Sequence, residues 1–485
     1  MNRRFRIKGR GLFLFMSIAG FTWSVLMYSS VSAAVGATVQ NTAAWGTYSK
    51  PFAADSLWNS RPVNPVLGEF VIPTSEYFPT VASGAYSTGV FLSGPDDAAV
   101  TVTGIPGSKG LWDPDTESHH DVTIPRWPEG VIPASGNDGH ADIVDPIGGM
   151  IHSFYKLQQL DGKWVAAQYA WSKLNGRGWG DPAHYFQGAR AAGVPTSAGL
   201  IRKHEIDDGD TLYRHALAMS LTFNALAPDP AYVFPATSAD TNASDSNTGS
   251  IPEGALMMLP ESFDTGSIDN PALRKVAETL KVYGAYVVDR NYGTPFVIYV
   301  ENGSGFNLHS GGWNNNVADD LDRIRAALRQ VVAADGWMDG EGNGFDVDNN
   351  LNILSMRGNW QMQSGTTPGE FDTWRQAVVF PAATDRTVLV NYSNRVISSV
   401  SWASPVVGKT YQLTAITTGG GMLRLRIYDK SAKKYVYDSG ELKNGDSGQF
   451  VWPAENVVGV LYATSGVGEV SSVSGELLRI GDRMK

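Results

Sequence analysis

Polar side chains set into otherwise apolar stretches are where this chain can do chemistry, because burying such groups costs free energy unless something pairs with them. The densest set is Arg202, Lys203, His204 and Glu205, followed after a short Asp/Gly turn by Tyr213, Arg214 and His215. Read as two strands joined by that turn, the segment places Lys203 and Glu205 on one face and brings Glu205 opposite Tyr213 and His215. A carboxylate, an imidazole and a phenol on one patch supply a proton donor and a proton acceptor, and Arg202 adds a cation that can neutralise an acidic substrate. A second set is Asp138, His140, Asp142 and Asp145. His140 and Asp142 share one face of a strand, and a His oriented by a carboxylate is a general base. Asp145, just before Pro146, also reads as a turn-starting residue. Asp289 closes the apolar pair Val287-Val288 and reads either as a turn cap or as a carboxylate facing a cleft, and Glu301 carries the same ambiguity. The candidate catalytic residues are therefore Glu205, His215, His140, Asp145, Asp142 and Asp289.

Substrate contacts are expected from Arg202, Tyr213, Tyr169, Trp179 and Trp313, since sugar rings stack on rigid aromatic faces. Trp164 and Trp171, within a strand, read as core. One segment, Asp339 to Asp348, alternates oxygen ligands and has Gly344 at its sixth position, like the first half of a calcium loop. Asp339, Glu341 and Asn343 are its candidate ligands, although its twelfth position is Asn350 and not the bidentate Glu of that motif. No phosphate-binding Gly loop ending in Lys-Ser/Thr, no His-Glu-x-x-His and no Gly-x-Ser-x-Gly elbow occurs. With no cysteine in 485 residues, thiolate metal sites, disulfides and cysteine nucleophiles are excluded as well.

These residues need a scaffold, and 53 Gly, 25 Pro and only 18% charged residues point to a turn-rich β protein. Residues 1–34 read as a signal peptide: Arg3, Arg4, Arg6, Lys8 and Arg10 precede an apolar run from Leu12 to Tyr28 and the small residues Ser29 to Ala34. Its removal makes a formal charge of −10 more negative by five, so the exported protein is acidic. That charge argues against a nucleic-acid partner, and no stable membrane insertion is expected after cleavage. The chain is expected to be secreted, extracellular or periplasmic.

From His140 to Leu174 the pattern predicts an antiparallel meander, continued by strands at Leu200–Ile206 and Tyr213–Phe223. Asn270-Pro271 opens a helix stopped by Gly284, and a second helix is expected over Asn316–Ala333. Strands are expected at Ala285–Asp289 and Phe296–Val300. From about Gln376 only strands and turns follow, with a hairpin around Asp429-Lys430-Ser431. The expected architecture is mainly β with a few helices: an antiparallel, jelly-roll-like catalytic domain over residues 35–350 and an accessory, carbohydrate-binding-like β-sandwich over residues 376–485.

Residues 135 to 330 carry, in this order, the short motifs Gly139-His140, Asp145-Pro146, Gly193-Val194-Pro195, Gly199-Leu200-Ile201-Arg202, Glu205, His215-Ala216-Leu217, Pro252-Glu253-Gly254 and Tyr283-Gly284-Ala285-Tyr286-Val287-Val288-Asp289. In this the chain resembles a family of secreted bacterial β-rich proteins whose setting implies glycan activity. Residues and resemblance together support an extracellular polysaccharide-degrading enzyme. A glycoside hydrolase needs paired carboxylates about 5 to 10 Å apart. A polysaccharide lyase would use a His or Tyr base with Arg or Lys as neutraliser, and a non-catalytic glycan-binding or wall-associated protein is the third reading. The partner in each case is a polysaccharide.

Overall fold

The computed structural model describes residues 44–181 and 184–481; the expected signal peptide lies outside the described residues. The fold is mainly β, and the described residues belong to one compact unit. Among the described residues no helix is long and apolar enough to cross a membrane.

A seven-stranded mixed sheet organises the first half. Its order is Val66–Leu67, Arg329–Ala333, Leu256–Met258, Ala285–Asn291, Leu217–Thr222, Phe296–Tyr299, Thr80–Ala82. The strand Leu217–Thr222 lies between its neighbours, parallel to Ala285–Asn291 and antiparallel to Phe296–Tyr299. Those two strands are therefore not direct partners, although a short turn joins them in sequence. Both faces of this sheet are buried, which is why its central strands are continuously apolar and do not alternate with polar residues. Leu217, Met219, Leu221 and Val287 face the helices Pro271–Val282 and Asn315–Ala327, meeting Leu273, Val276, Leu280, Val317, Leu321 and Ile324. On the opposite face Ala218, Tyr286 and Val288 pack with Val144, Ile151, Trp58 and Trp179.

Val144 and Ile151 belong to a second sheet, ordered Gly89–Leu92, Ala141–Asp145, Met150–Tyr155, Gln168–Lys173, Leu111–Asp113, Ser118–His120. It contains the expected meander, with Met150–Tyr155 antiparallel to both neighbours. The expected long third strand divides into Lys163–Ala166 and Gln168–Lys173, which join different sheets. The far face of this second sheet, with Ile143, Phe154 and Tyr169, packs on Val102, Val122 and Ile124 of a small four-stranded sheet. Helices, two large sheets and a small sheet thus form four successive layers.

Residues 353–477 contribute a separate apolar core enclosed by two five-stranded sheets. Thr410–Thr418 alternates fully buried positions with partly or fully exposed ones, as a strand with one face on a core must. The expected hairpin is present as Met422–Asp429 paired with Lys434–Asp438.

The helix opened by Asn270-Pro271 forms as expected, its Asn270 side chain accepting from the Leu273 N–H at 3.0 Å. The helix expected over Asn316–Ala333 stops at Ala327, and Arg329–Ala333 is a strand. Residues 329–333 meet helical spacing, yet pairing with Leu256–Met258 satisfies their backbone inside a sheet. The pair of strands expected around Asp207–Thr211 does not form either. Lys203–Glu205 is a turn of 3₁₀ helix, because Glu205 N–H bonds the Arg202 carbonyl and the Glu205 carboxylate accepts from Arg202 N–H. Residues 211–216 lead irregularly into the strand Leu217–Thr222.

Candidate active site

The seven-stranded sheet carries a β-bulge beside its most unusual carboxylate. Register between Leu217–Thr222 and Ala285–Asn291 shifts so that Met219 faces Val287 and Ser220 faces Asp289, leaving Val288 as the extra residue. A bulge interrupts strand alternation and re-aims the side chain that follows it. Asp289 meets Arg190 there, Oδ2 accepting from Nη1 at 2.9 Å. Arg190 is only 3% exposed. Its guanidinium lies 3.8 Å over the ring of Tyr299, and Nη1 also donates to the Tyr86 carbonyl at 3.3 Å.

A second carboxylate joins from a loop. The backbone N–H of Arg290 donates to Asp240 Oδ2 at 2.9 Å and to Asp289 Oδ1 at 3.1 Å, so the two oxygens are held within a few ångströms of each other. Asp240 is anchored from below by Glu253, whose Oε1 accepts from Asp240 N–H at 3.0 Å. Glu253 is fully buried and its Oε2 has no hydrogen-bond partner.

Electrostatics follow from this crowding. Burial pushes the Asp289 carboxyl up to about 6; Arg190 opposes the shift and Asp240 adds to it. Asp240 is raised by burial, against the pull of Arg290. Glu253 is raised well above its ordinary value by burial, with Asp240 adding to the effect. Asp138 is raised by burial and then by Asp289. Carboxylates this close cannot all ionise together, so the group holds a proton at mildly acidic pH. Asp289 and Asp240 keep 17% and 24% of their side-chain surface open, so the pair reaches solvent.

The charge of the same arginine also acts on His140 and Asp142. Burial, then the Arg190 charge, drives His140 down to about 3, so its imidazole is neutral at ordinary pH. Its Nδ1 lies 3.3 Å from the Phe154 carbonyl. Asp142 is fully buried and raised by burial; it accepts from Thr196 Oγ1 at 2.6 Å and Ser197 N–H at 2.7 Å, and its charge acts on Arg190. Of the six expected catalytic residues, Asp289 therefore contacts a guanidinium that sequence reading passed over, and His140 and Asp142 feel its charge. Arg190 stands alone among small residues in Gly188-Ala189-Arg190-Ala191, the same signal of a polar group in an apolar run that marked the other sets. Asp240 and Glu253 lie in loops, where no periodicity distinguishes them from turn residues.

The other expected residues sit elsewhere. Glu205 and His215 do meet, Oε2 to Nε2 at 3.2 Å. Burial raises Glu205, but the His215 charge outweighs it and the carboxyl is lowered; burial lowers His215, but Glu205 outweighs it and the imidazole is raised. The pair is ionic, and Glu205 is also committed to closing the 3₁₀ turn. Arg202 lies 4% exposed between Glu301, at 2.9 Å, and the Tyr48 carbonyl, at 3.0 Å. Asp145 takes a two-pronged bond from Arg126, at 2.9 and 2.5 Å, and accepts from the N–H groups of Ile147 and Gly148, which is the turn-starting role.

Tyr213, Tyr169 and Trp179 are 1%, 0% and 2% exposed, so the structure corrects their reading as sugar platforms. They fill gaps between layers: Trp179 stacks on Trp58 at 4.9 Å, and Tyr169 bonds His152 at 2.8 Å. Trp313 is exposed and stacked on His309 at 4.8 Å. The calcium-like segment is a hairpin turn between Gly336–Met338 and Gly344–Phe345. Asp339 Oδ1 accepts from the N–H groups of Glu341, at 2.9 Å, and Asn343, at 2.7 Å, and so serves its own loop. Among the described residues no group of three or more His, Asp or Glu is placed to hold a metal ion.

No protein-family model matches the chain, and no curated protein sequence does. Solved structures resemble parts of it. The glycosylation-associated protein Gap123 complex of Streptococcus agalactiae aligns at 17% identity and a TM-score of 0.18, over 24% of this chain and 40% of that one. A family 61 carbohydrate-binding module in complex with β-1,4-galactotriose aligns at 8% identity and 0.17, over 25% of this chain and 88% of that one. The CBM22-1–GH10 modules of a Clostridium thermocellum xylanase, complexed with xylohexaose, align at 10% identity and 0.17, over 28% of each chain.

Proposed function

We propose that this protein is an exported glycoside hydrolase whose acid and partner carboxylate are Asp289 and Asp240. The observation that carries the reading is the shared Arg290 N–H, which pairs two solvent-reaching carboxyls while burial raises both. A protonated Asp289 donates its proton to the glycosidic oxygen as the bond to the anomeric carbon breaks. Asp240, ionised, attacks or stabilises that carbon, and water then releases the sugar while returning a proton to Asp289. Arg190 and Arg290 position the pair, and neutral His140 adds no competing cation.

A panel of neutral and uronic-acid polysaccharides, read for reducing ends and for the absorbance of unsaturated products, tests the reading. Reducing ends without unsaturation, with the anomeric configuration of the product retained by NMR, are expected. Asp289→Asn should lower turnover by about 10²- to 10⁴-fold. Unsaturated products would establish the lyase reading instead, and binding without turnover on any polymer would leave a glycan-binding protein.

A further inference from the structure

A cleft of about 940 Å³ opens at the seam between residues 116–125 and residues 368–381, away from the carboxylate pair. We propose that this cleft binds a neutral oligosaccharide chain. Its size falls in the range of ligand sites, roughly 300 to 1,000 Å³. Its floor is apolar, with Val122 and Phe380 buried. Two half-exposed rings, Phe371 and Trp374, line one wall. Trp374 is held in place, Nε1 donating to Tyr169 Oη at 3.2 Å and its backbone N–H to Asp372 Oδ1 at 2.9 Å. A ring fixed before the ligand arrives loses little entropy on binding, and its face suits the C–H surface of a pyranose.

The polar rim specifies the charge of the ligand. Asp121 and Glu370 are exposed carboxylates that only accept hydrogen bonds when ionised, which matches the hydroxyl donors of a sugar. Among the described residues lining the cleft there is no Lys or Arg, and its one imidazole, His120, is already paired with Asp113, so the carboxylates of the rim disfavour a uronate. His120, also on the wall, is occupied by Asp113, with Nε2 and Oδ2 3.0 Å apart. Because one wall comes from each half of the chain, the site exists only when the sandwich is docked.

The proposal rests on the glycan reading but not on the acid pair, so the two are tested apart. Cellohexaose, mannohexaose, xylohexaose and hexagalacturonate are titrated calorimetrically into the full-length Asp289→Asn protein, a change expected to suppress turnover and remote from the cleft lining. Binding of at least one neutral hexaose is expected, with none for hexagalacturonate. Adding Phe371→Ala or Trp374→Ala should weaken that binding by at least about tenfold in proteins whose circular dichroism is unchanged. Should Trp374→Ala unfold the chain, Phe371→Ala and Glu370→Lys carry the test. The proposal is overturned if no neutral hexaose binds at millimolar concentration, if the folded cleft variants bind as before, or if hexagalacturonate binds more tightly. Loss of binding in the cleft variants alongside an Asp289→Asn protein of full activity would sink the acid pair and keep this site.

Discussion

At the scale of single residues, two acidic groups with opposite shifts make opposite predictions. Asp289 rises from 3.8 to about 6, so across that window the folded chain keeps a proton that the unfolded chain has lost. Stability contributed by this group is therefore present at low pH and falls as pH rises toward 6. Turnover should decline in the same direction, as the acid is ionised, and a kcat–pH profile rising through 6 would contradict the assignment. Glu205 and His215 behave otherwise. The lowered Glu205 loses its contribution as pH falls below its ordinary 4.5, and the raised His215 loses its own as pH climbs past 6.5. Glu205→Gln should thus cost the most between those limits, about 1 to 3 kcal/mol by urea denaturation near pH 5.5, and less near pH 9. Turnover per folded molecule is expected to change less than tenfold.

Elements show where local rules hold and where packing overrides them. The helix Pro271–Val282 follows its capping signal: Asn270 accepts from Leu273 N–H and donates to the Leu308 carbonyl at 3.3 Å. Asn270→Ala should cost about 1 kcal/mol, measured by urea denaturation, because an orphan donor of the first turn loses its partner. The strand Arg329–Ala333 shows the other outcome, since helical spacing there yields to a sheet that offers pairing on both edges. The bulge at Val288 shows a third. It changes which way Asp289 points without changing any residue type, and it therefore leaves no trace in composition or periodicity.

The two halves of the molecule are fastened by a buried polar seam. Asp115, 2% exposed, accepts from Thr373 Oγ1 at 2.9 Å and Gln376 Nε2 at 3.1 Å, and pairs with His184 at 2.7 Å. Trp171 Nε1 donates to the same Thr373 hydroxyl at 3.0 Å. Burial raises Asp115, but His184 prevails and its carboxyl is lowered, so the stability this carboxylate contributes is lost as pH falls below its ordinary 3.8. Asp115→Ala leaves buried donors and a buried imidazole without their acceptor, and a cost of about 3 to 5 kcal/mol is expected. Calorimetry should show one transition in the parent and a lower, divided transition in the variant; an unaltered melting profile would mean the seam contributes nothing. The seam also bears on the sandwich as an accessory module, since removing residues 376–485 uncovers Asp115 and one wall of the cleft.

Sequence alone determined the features set by near neighbours along the chain. The mainly β class, the meander after His140, the Asn270-Pro271 helix start and the hairpin around Asp429 all depend on contacts a few residues apart, which alternation, caps and turns encode directly. The meeting of Glu205 with His215 belongs here too, ten residues apart, even though a 3₁₀ turn and not a hairpin brings it about. Tertiary structure alone decided the rest. Arg190 lies about a hundred residues from Asp289, and Asp240 about fifty, so their convergence depends on how layers stack and loops cross, which no local pattern records. The same stacking buried Tyr169, Trp179 and Tyr213, because an aromatic ring in sequence looks alike whether it fills a layer or faces a sugar. Burial of Asp289 itself, with Asp240 adding to it, gives this carboxyl its raised proton affinity, and burial is a property of the assembled layers.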